Sequence, residues 1–205
     1  MFRSDSVLMR LLDRIGTLIF LNGLFLLCSL PIVTVGAAGT ALFTVTLREA
    51  RGDTRSITTG FFSAFRKNFA KATLLWLFIL LFLAVFVVDL ALFSNLGAPR
   101  IFRIFLYAAA VFFLLMLPYL LPLQARFENS LHRTMRNALA LGIAKLPATV
   151  LMLLMMAFPL IVLYLSEQVF WRLAIFWLFL GFSLSAQLRS LLLNRIFSKL
   201  IPEEK

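Results

Sequence analysis

The sequence predicts an all-α bundle of helices that crosses a membrane several times, a polytopic fold. Hydrophobic residues make up 62% of the 205 residues and charged residues only 14%, which is too little polar surface for a fold in water. The apolar residues form runs near the ~20 residues that cross a bilayer. The 20 Lys and Arg, against 9 Asp and Glu, lie mostly in short segments between those runs. This placement excludes a nucleic-acid partner, which needs a basic face on a globular fold.

The longest apolar stretch, residues 15–47, carries no charge and exceeds one upright crossing of a ~30 Å hydrocarbon core. Pro31 and Gly36 interrupt it, because proline cannot donate a backbone hydrogen bond and glycine loosens the chain. We therefore predict a turn between a first crossing at residues 15–30 and a return at residues 37–47. The return is short for a crossing, so a re-entrant arm buried against other helices is the alternative.

Three segments with a basic and an apolar face are predicted to lie at the membrane surface: residues 5–14, 57–71 and 131–146. The second repeats phenylalanine at a spacing of four. The apolar stripe of the third comprises Leu131, Met135, Leu139, Gly142 and Leu146. The candidate interfacial residues, which would meet lipid and its anionic headgroups on the cytoplasmic side, are Phe61, Phe65, Arg66, Lys67, Arg133 and Arg136.

Four further apolar runs complete the predicted bundle. They cover residues 72–93, 104–123, 147–165 and 173–188, the last two joined by a loop at residues 166–172. The sequence thus predicts about six crossings in a single membrane domain, with five crossings and a short arm as the alternative. The units 1–50, 55–125 and 128–190 share one layout, which either an internal repeat or simple alternation of crossings would generate.

The distribution of positive charge predicts the orientation. With both termini and the segments 48–71 and 124–145 on one side, that side holds seventeen of the twenty Lys and Arg. The positive-inside rule then places the N- and C-termini in the cytoplasm and requires an even number of crossings. The expected location is the cell membrane of a bacterium.

Several motifs resemble the YesL-like family of bacterial integral membrane proteins. They are residues 28–36 (CSLPIVTVG), 61–69 (FFSAFRKNF), 121–127 (LPLQARF) and 136–139 (RNAL). The resemblance covers nearly the whole chain. It implies a domain of unknown function that often lies beside genes for carbohydrate uptake and degradation, and it carries over no catalytic residue.

Polar or chain-breaking residues inside apolar runs are the candidate intramembrane sites. They are Asn22, Pro31, Thr34, Gly36, Asp89 and Arg103. Asn22 would contact a ligand or, as we favour, form an interhelical hydrogen bond worth ~0.6 kcal/mol. The turn near Pro31 would line a polar cavity or simply reverse the chain at the outer surface. Asp89 would be an ion or proton site, or an acid near the outer headgroups with Arg103 as its partner.

The sequence contains few residues suited to catalysis, and it predicts no enzyme, no metal site and no cofactor. The chain holds one Cys and one His, Cys28 and His132, so neither a metal cluster nor a nucleophile–base pair is indicated. Three functions stay open. They are an accessory or regulatory component beside sugar permease subunits of the ABC type, a small transporter acting as a homo-oligomer, and a lipid-binding or membrane-organising protein.

Overall fold

The computed structural model describes residues 7–53, 56–89, 91, 100–127 and 129–198, and these residues form an all-α bundle. The helices are α1 (Val7–Cys28), α2 (Val35–Glu49), α3 (Ile57–Val88), α4 (Arg100–Arg126), α5 (Leu131–Ala144), α6 (Leu146–Leu165), α7 (Glu167–Phe176) and α8 (Phe182–Phe197). A short 3₁₀ turn, Ile32–Thr34, precedes α2, and a π-helical segment, Trp177–Gly181, joins α7 to α8. The predicted fold class, an all-α membrane bundle, is confirmed.

Four stretches of the described chain are long and apolar enough to cross a membrane: Ile57–Val88, Arg103–Arg126, Leu146–Leu165 and Glu167–Phe197. The last joins α7, the π-helical segment and α8 into one rod of 31 residues. These four stretches correspond to the four later crossings predicted from the sequence. Many of their apolar side chains are exposed, among them Leu81, Phe105, Leu160 and Ile175, as expected of helices that meet lipid.

The first hairpin, α1 and α2, is shorter than the other pairs. α2 has 15 residues and is therefore about 22 Å long, short of a ~30 Å hydrocarbon core. Its beginning lies beside the middle of α3, because Gly36 packs directly against the backbone of Ala72 and the side chain of Trp76. The arm thus reaches only about halfway along α3, in agreement with the short arm that the sequence analysis kept as its alternative.

Side chains donate hydrogen bonds to backbone carbonyls in the turn of this hairpin. The Thr34 hydroxyl donates to the carbonyl oxygens of Cys28, at 2.7 Å, and Pro31, at 2.8 Å. The indole N–H of Trp76 donates to the Ile32 carbonyl at 2.8 Å, which ties the turn to α3. These three carbonyls have partners within the bundle, as a turn that closes a hairpin requires.

The two ends of the hairpin lie at the same end of the molecule. Burial raises the pKa of the Glu49 carboxyl at the end of α2, and the nearby Arg14 guanidinium in α1 partly offsets the rise. A short arm therefore returns Arg48 to the side on which Arg14 lies. The basic segments were predicted to lie on one side of the membrane. A short hairpin that enters and leaves on that side satisfies this prediction, and so would two full crossings.

α3 corrects one prediction. Residues 57–71 do not form a surface helix of their own but are the first turns of a continuous helix of 32 residues, about 48 Å long. Phe61 is fully buried and Phe65 half-buried, both in the core of the bundle. Phe61 and Phe65 therefore pack against protein on the side of α3 that α2 contacts, whereas Phe69, the next phenylalanine of the stripe, is exposed.

α2 lies at the centre of the bundle. Its buried residues run almost without interruption from Gly36 to Leu47, and α1, α3, α4 and α8 surround it. Small side chains let those helices approach closely, since the stretch from 36 to 41 reads Gly-Ala-Ala-Gly-Thr-Ala. The Thr46 hydroxyl meets the Ser190 hydroxyl of α8 at 2.8 Å. The Asn194 side chain of α8 donates to the Leu47 carbonyl at 3.0 Å.

α5 is a separate amphipathic helix, as predicted, and Ser130 caps its beginning by accepting from the Arg133 N–H. Its buried face is Thr134, Ala138, Leu141 and Gly142, and that face packs on α4. Leu146, placed on the apolar stripe by the sequence analysis, is exposed and begins α6. The buried face of α5 therefore differs from the predicted stripe. Close contact with α4 requires small residues, since Gly142 packs against the Leu115 backbone.

A single residue joins α6 to α7. Ser166 alone is non-helical, and its hydroxyl caps α7 by accepting from the Val169 N–H at 3.4 Å. The predicted loop at residues 166–172 is therefore wrong beyond its first residue. A serine cap allows the helix to restart at once, so Glu167 and Arg172 belong to α7.

Candidate functional site

A polar cavity of about 270 Å³ opens where α2 ends, α3 begins and α4 ends. We call it the basic cavity. Its polar lining consists of Thr44, Arg48, Ser63, Lys67, Asn68, Gln124 and Arg126. Three of these side chains are cationic, and they come from three different helices. The volume lies just below the range of about 300–1,000 Å³ that is usual for small-ligand pockets.

Local structure places each cation at this point. Arg48 and Arg126 lie in the last turns of α2 and α4, where a cation also offsets the negative end of a helix dipole. Lys67 lies well inside α3, and the long α3 brings it alongside both helix ends. Gly60 leaves room for Arg48, because an added Cβ would lie 2.8 Å from a terminal nitrogen of its guanidinium.

Amide groups hold the wall between the cations. Gln124 is 2% exposed, and its Nε2 donates to Asn68 Oδ1 at 3.3 Å. Its Oε1 accepts from the Thr134 hydroxyl of α5 at 3.2 Å, while Asn68 Nδ2 donates to the Ala64 carbonyl at 3.2 Å. This chain of hydrogen bonds links α3, α4 and α5. The side-chain oxygen and nitrogen of both Gln124 and Asn68 have partners, as polar groups inside a fold require.

The cations differ in their partners. The Nε of Arg48 donates to Asp53 Oδ2 at 3.2 Å in a partly exposed ion pair. The Nη1 of Arg126 is buried and has no hydrogen-bond partner within the described chain. A buried, unpartnered guanidinium nitrogen is costly unless a ligand or water satisfies it. The basic cavity therefore presents positive charge and N–H donors, a chemistry suited to binding an anion.

Asn22 serves a structural role in this arrangement. Its side chain is fully buried, and its Nδ2 donates to the carbonyls of Trp177, at 3.3 Å, and Leu178, at 2.7 Å. Its Oδ1 accepts from the backbone N–H of Ser183 at 3.0 Å. These are backbone groups of the π-helical segment and the residues after it, where the regular α-helical bonding pattern is interrupted. The favoured interpretation, an interhelical hydrogen bond, agrees with this geometry, although the partner is backbone.

The structure places Asp89 in a more buried position than the sequence analysis expected. The side chain is 4% exposed, whereas a place near the outer headgroups would leave an acid more accessible. Its Oδ1 has no hydrogen-bond partner among the residues that the structure describes. Arg103 is half-buried on the neighbouring helix α4, and the pairing of the two residues stays a prediction.

The interfacial candidates fall into three groups. Phe61 and Phe65 belong to the core, as described above. Lys67 lines the basic cavity, and its sequence neighbour Arg66 is exposed outside the lining. Arg133 and Arg136 are exposed on α5, and their contact with headgroups stays a prediction.

The basic cavity was not predicted as a site from the sequence. Arg48 and Arg126 were counted only as topogenic charges, and Asn68 and Gln124 only as parts of motifs. One signal was available, because residues 61–69 and 121–127, two of the segments that carry the family resemblance, both contribute to the lining. Arg189 is a further cation of the interior, since it lies in α8 with its guanidinium 4.9 Å from the ring centre of Phe43.

Residues 18–90 match a family described as "Protein of unknown function, DUF624". The matched part runs from α1 through α3 and contains Arg48 and Lys67, whereas Gln124 and Arg126 lie outside it. No match is found among curated proteins or solved structures. The chain is therefore a helical membrane protein whose first part is similar to a family of unknown function.

Proposed function

We propose that this protein is a non-catalytic accessory component of a bacterial cell membrane, associated with carbohydrate uptake, that binds an anionic ligand in the basic cavity. The observation that carries the proposal is the convergence of Arg48, Lys67 and Arg126 on one cavity of about 270 Å³. The cationic lining, in which Asp53 pairs with Arg48, favours an anion over a neutral sugar.

The interior polar groups support a binding role over transport. Backbone carbonyls freed at the first turn and at the π-helical segment are engaged by Thr34, Trp76 and Asn22. Transporters of the broken-helix type use such carbonyls to hold substrate or ions. In this bundle the same groups join helices to one another, so their geometry serves the structure of the fold.

The carbohydrate context rests on sequence resemblance. We propose that the chain is YesL-like, since the motifs at residues 28–36, 61–69, 121–127 and 136–139 resemble that family, and the match over residues 18–90 is compatible with it. Its partners would be sugar permease subunits of the ABC type, or a second copy of the chain, meeting exposed apolar helices such as α6. We propose, from the positive-inside rule, that both termini and the basic cavity face the cytoplasm.

The test combines co-purification with growth. The tagged chain, expressed at its native level, is extracted from membranes, and co-purifying proteins and small molecules are identified by mass spectrometry. We expect permease subunits in the eluate and slower growth of a deletion strain on specific sugars. Wild-type protein and the exposed control Arg66→Gln should restore growth, whereas Arg126→Gln should not. An abundant Arg126→Gln protein that restores growth fully would contradict the role of the cavity.

A further inference from the structure

We infer that the anion held in the basic cavity is a phosphate group, carried either by a lipid headgroup or by a small soluble phosphate ester. The inference rests on the proposed anion-binding function and names the class of ligand. It starts from the placement of three cations around one space: Arg48 on α2, Lys67 on α3 and Arg126 on α4.

The number of directions from which donors arrive distinguishes a phosphate from a carboxylate. A carboxylate is planar and is satisfied by one guanidinium fork, whereas a phosphate offers three or more oxygens in a tetrahedral arrangement. Donors on three helices approach the cavity from three sides, and the Ser63 hydroxyl adds a neutral donor on the wall.

The alternative role of the cations is to offset helix dipoles, and it accounts for only two of them. Arg48 and Arg126 occupy the last turns of their helices, where a positive charge is favourable without any ligand. Lys67 lies more than two turns from either end of α3, so no helix dipole explains it. A contribution of Lys67 to phosphate binding therefore separates the inference from a role in offsetting helix dipoles alone.

The location of the cavity admits two sources of phosphate. It opens at the end of the bundle that gathers the basic segments, close to where headgroups of the inner leaflet would lie, and basic pockets between helices on that side bind lipid headgroups. The same opening is accessible to a soluble phosphate ester. Both sources present the same group to the three cations, so experiments on each are needed to tell them apart.

The experiment uses the full chain, purified in a neutral detergent and reconstituted in nanodiscs. In the first arm, glycerol 3-phosphate is titrated into protein in phosphatidylcholine nanodiscs, and binding is measured by calorimetry. In the second arm, native mass spectrometry counts phosphatidylglycerol molecules retained from mixed nanodiscs. The variants are Lys67→Gln and Arg126→Gln, with Arg66→Gln as the matched control, because Arg66 neighbours Lys67 but lies outside the lining. Malonate, a dicarboxylate, serves as the comparison anion.

We expect wild-type protein and Arg66→Gln to bind one phosphate-bearing molecule in at least one arm, and both cavity variants to weaken that binding at least tenfold. Binding in the first arm identifies a soluble ester, and binding confined to the second identifies a headgroup. Lys67 is exposed at the mouth of the cavity, so Lys67→Gln carries the test if Arg126→Gln does not fold. Equal loss in Arg66→Gln would overturn the inference in favour of general surface attraction.

Two further results separate this inference from the proposed function. Malonate binding that depends on Lys67 and equals or exceeds phosphate binding would leave the anion-binding function intact and overturn the phosphate assignment. Absence of binding for glycerol 3-phosphate, phosphatidylglycerol and malonate alike would overturn both.

Discussion

The side-chain amide of Asn22 lies 2.7 Å from the carbonyl oxygen of Leu178, 156 positions later in the chain. Together with its bonds to the Trp177 carbonyl and the Ser183 N–H, this contact joins α1 to the π-helical segment of the last rod. A π-helical segment leaves backbone groups without regular helical partners, and in a membrane no water replaces them. Asn22 thus stabilises an irregular helix while it fixes α1 against it.

We expect Asn22→Leu to destabilise the protein by about 1–2 kcal/mol, because hydrogen bonds between membrane helices contribute ~0.6 kcal/mol each and the leucine removes up to three. The measurement is thermal unfolding in detergent, with hydrogen exchange at the Ser183 amide as a local readout. Exchange there should accelerate. Phe20→Leu, an exposed change on the same helix, is the control. A stable Asn22→Leu protein that has lost its sugar-uptake phenotype would make Asn22 a binding residue instead.

Close backbone approach at Gly36 and Gly142 gives a second prediction. An added Cβ at either position would overlap the carbonyl oxygen of the facing helix, that of Ala72 or Leu115. We expect Gly36→Ala and Gly142→Ala each to destabilise the fold by at least 1–3 kcal/mol, the usual cost of overpacking. Gly23→Ala is the matched control, since nothing lies within 4 Å of its added Cβ. There the better helix propensity of alanine should stabilise by about 0.5–1 kcal/mol, so equal effects at the three sites would refute the packing argument.

Phe61 and Phe62 are adjacent in sequence but differ in environment, since Phe61 is fully buried and Phe62 is 40% exposed. We expect Phe61→Ala to lower stability by about 3–5 kcal/mol, as truncation of a buried aromatic does. Phe62→Ala should cost less than about 1 kcal/mol. Chemical or thermal unfolding in two lipid compositions checks the pair. Because Phe61 contacts protein and not lipid, its effect should not change with the lipid, and a strong lipid dependence would restore the interfacial interpretation.

Orientation is tested by labelling single cysteines in a Cys28→Ser background. Ser63 lies near the beginning of α3. Gln168 lies near the beginning of α7, which is one end of the rod Glu167–Phe197, and the α8 part of the same rod contacts α2. The positive-inside rule predicts that Ser63→Cys is protected from an impermeant reagent in intact cells and that Gln168→Cys is labelled. Permeabilised cells, in which both should react, are the control. The reverse pattern would invert the proposed orientation and place the basic cavity outside.

The sequence alone determined the membrane class, the break near Pro31, the amphipathic α5 and the approximate positions of the later crossings. These properties follow from local composition: a run of apolar residues, a proline or a basic face acts through the residues nearest to it. The sequence also identified Asn22 as a buried polar residue, because any polar group in such a run must find a partner.

Only the tertiary structure decided which apolar face meets protein and which meets lipid. In water, periodicity separates a buried face from an exposed one, but in the bilayer both faces of a helix are apolar, so the pattern does not tell a protein contact from a lipid contact. The depth of the first hairpin depended on the contact between Gly36 and Ala72, and the partner of Asn22 on the irregular helix after Phe176. The basic cavity joins residues on three helices that are far apart in sequence. No local signal brings Arg48, Lys67 and Arg126 together, because their proximity results from the packing of α2 between α3 and α4.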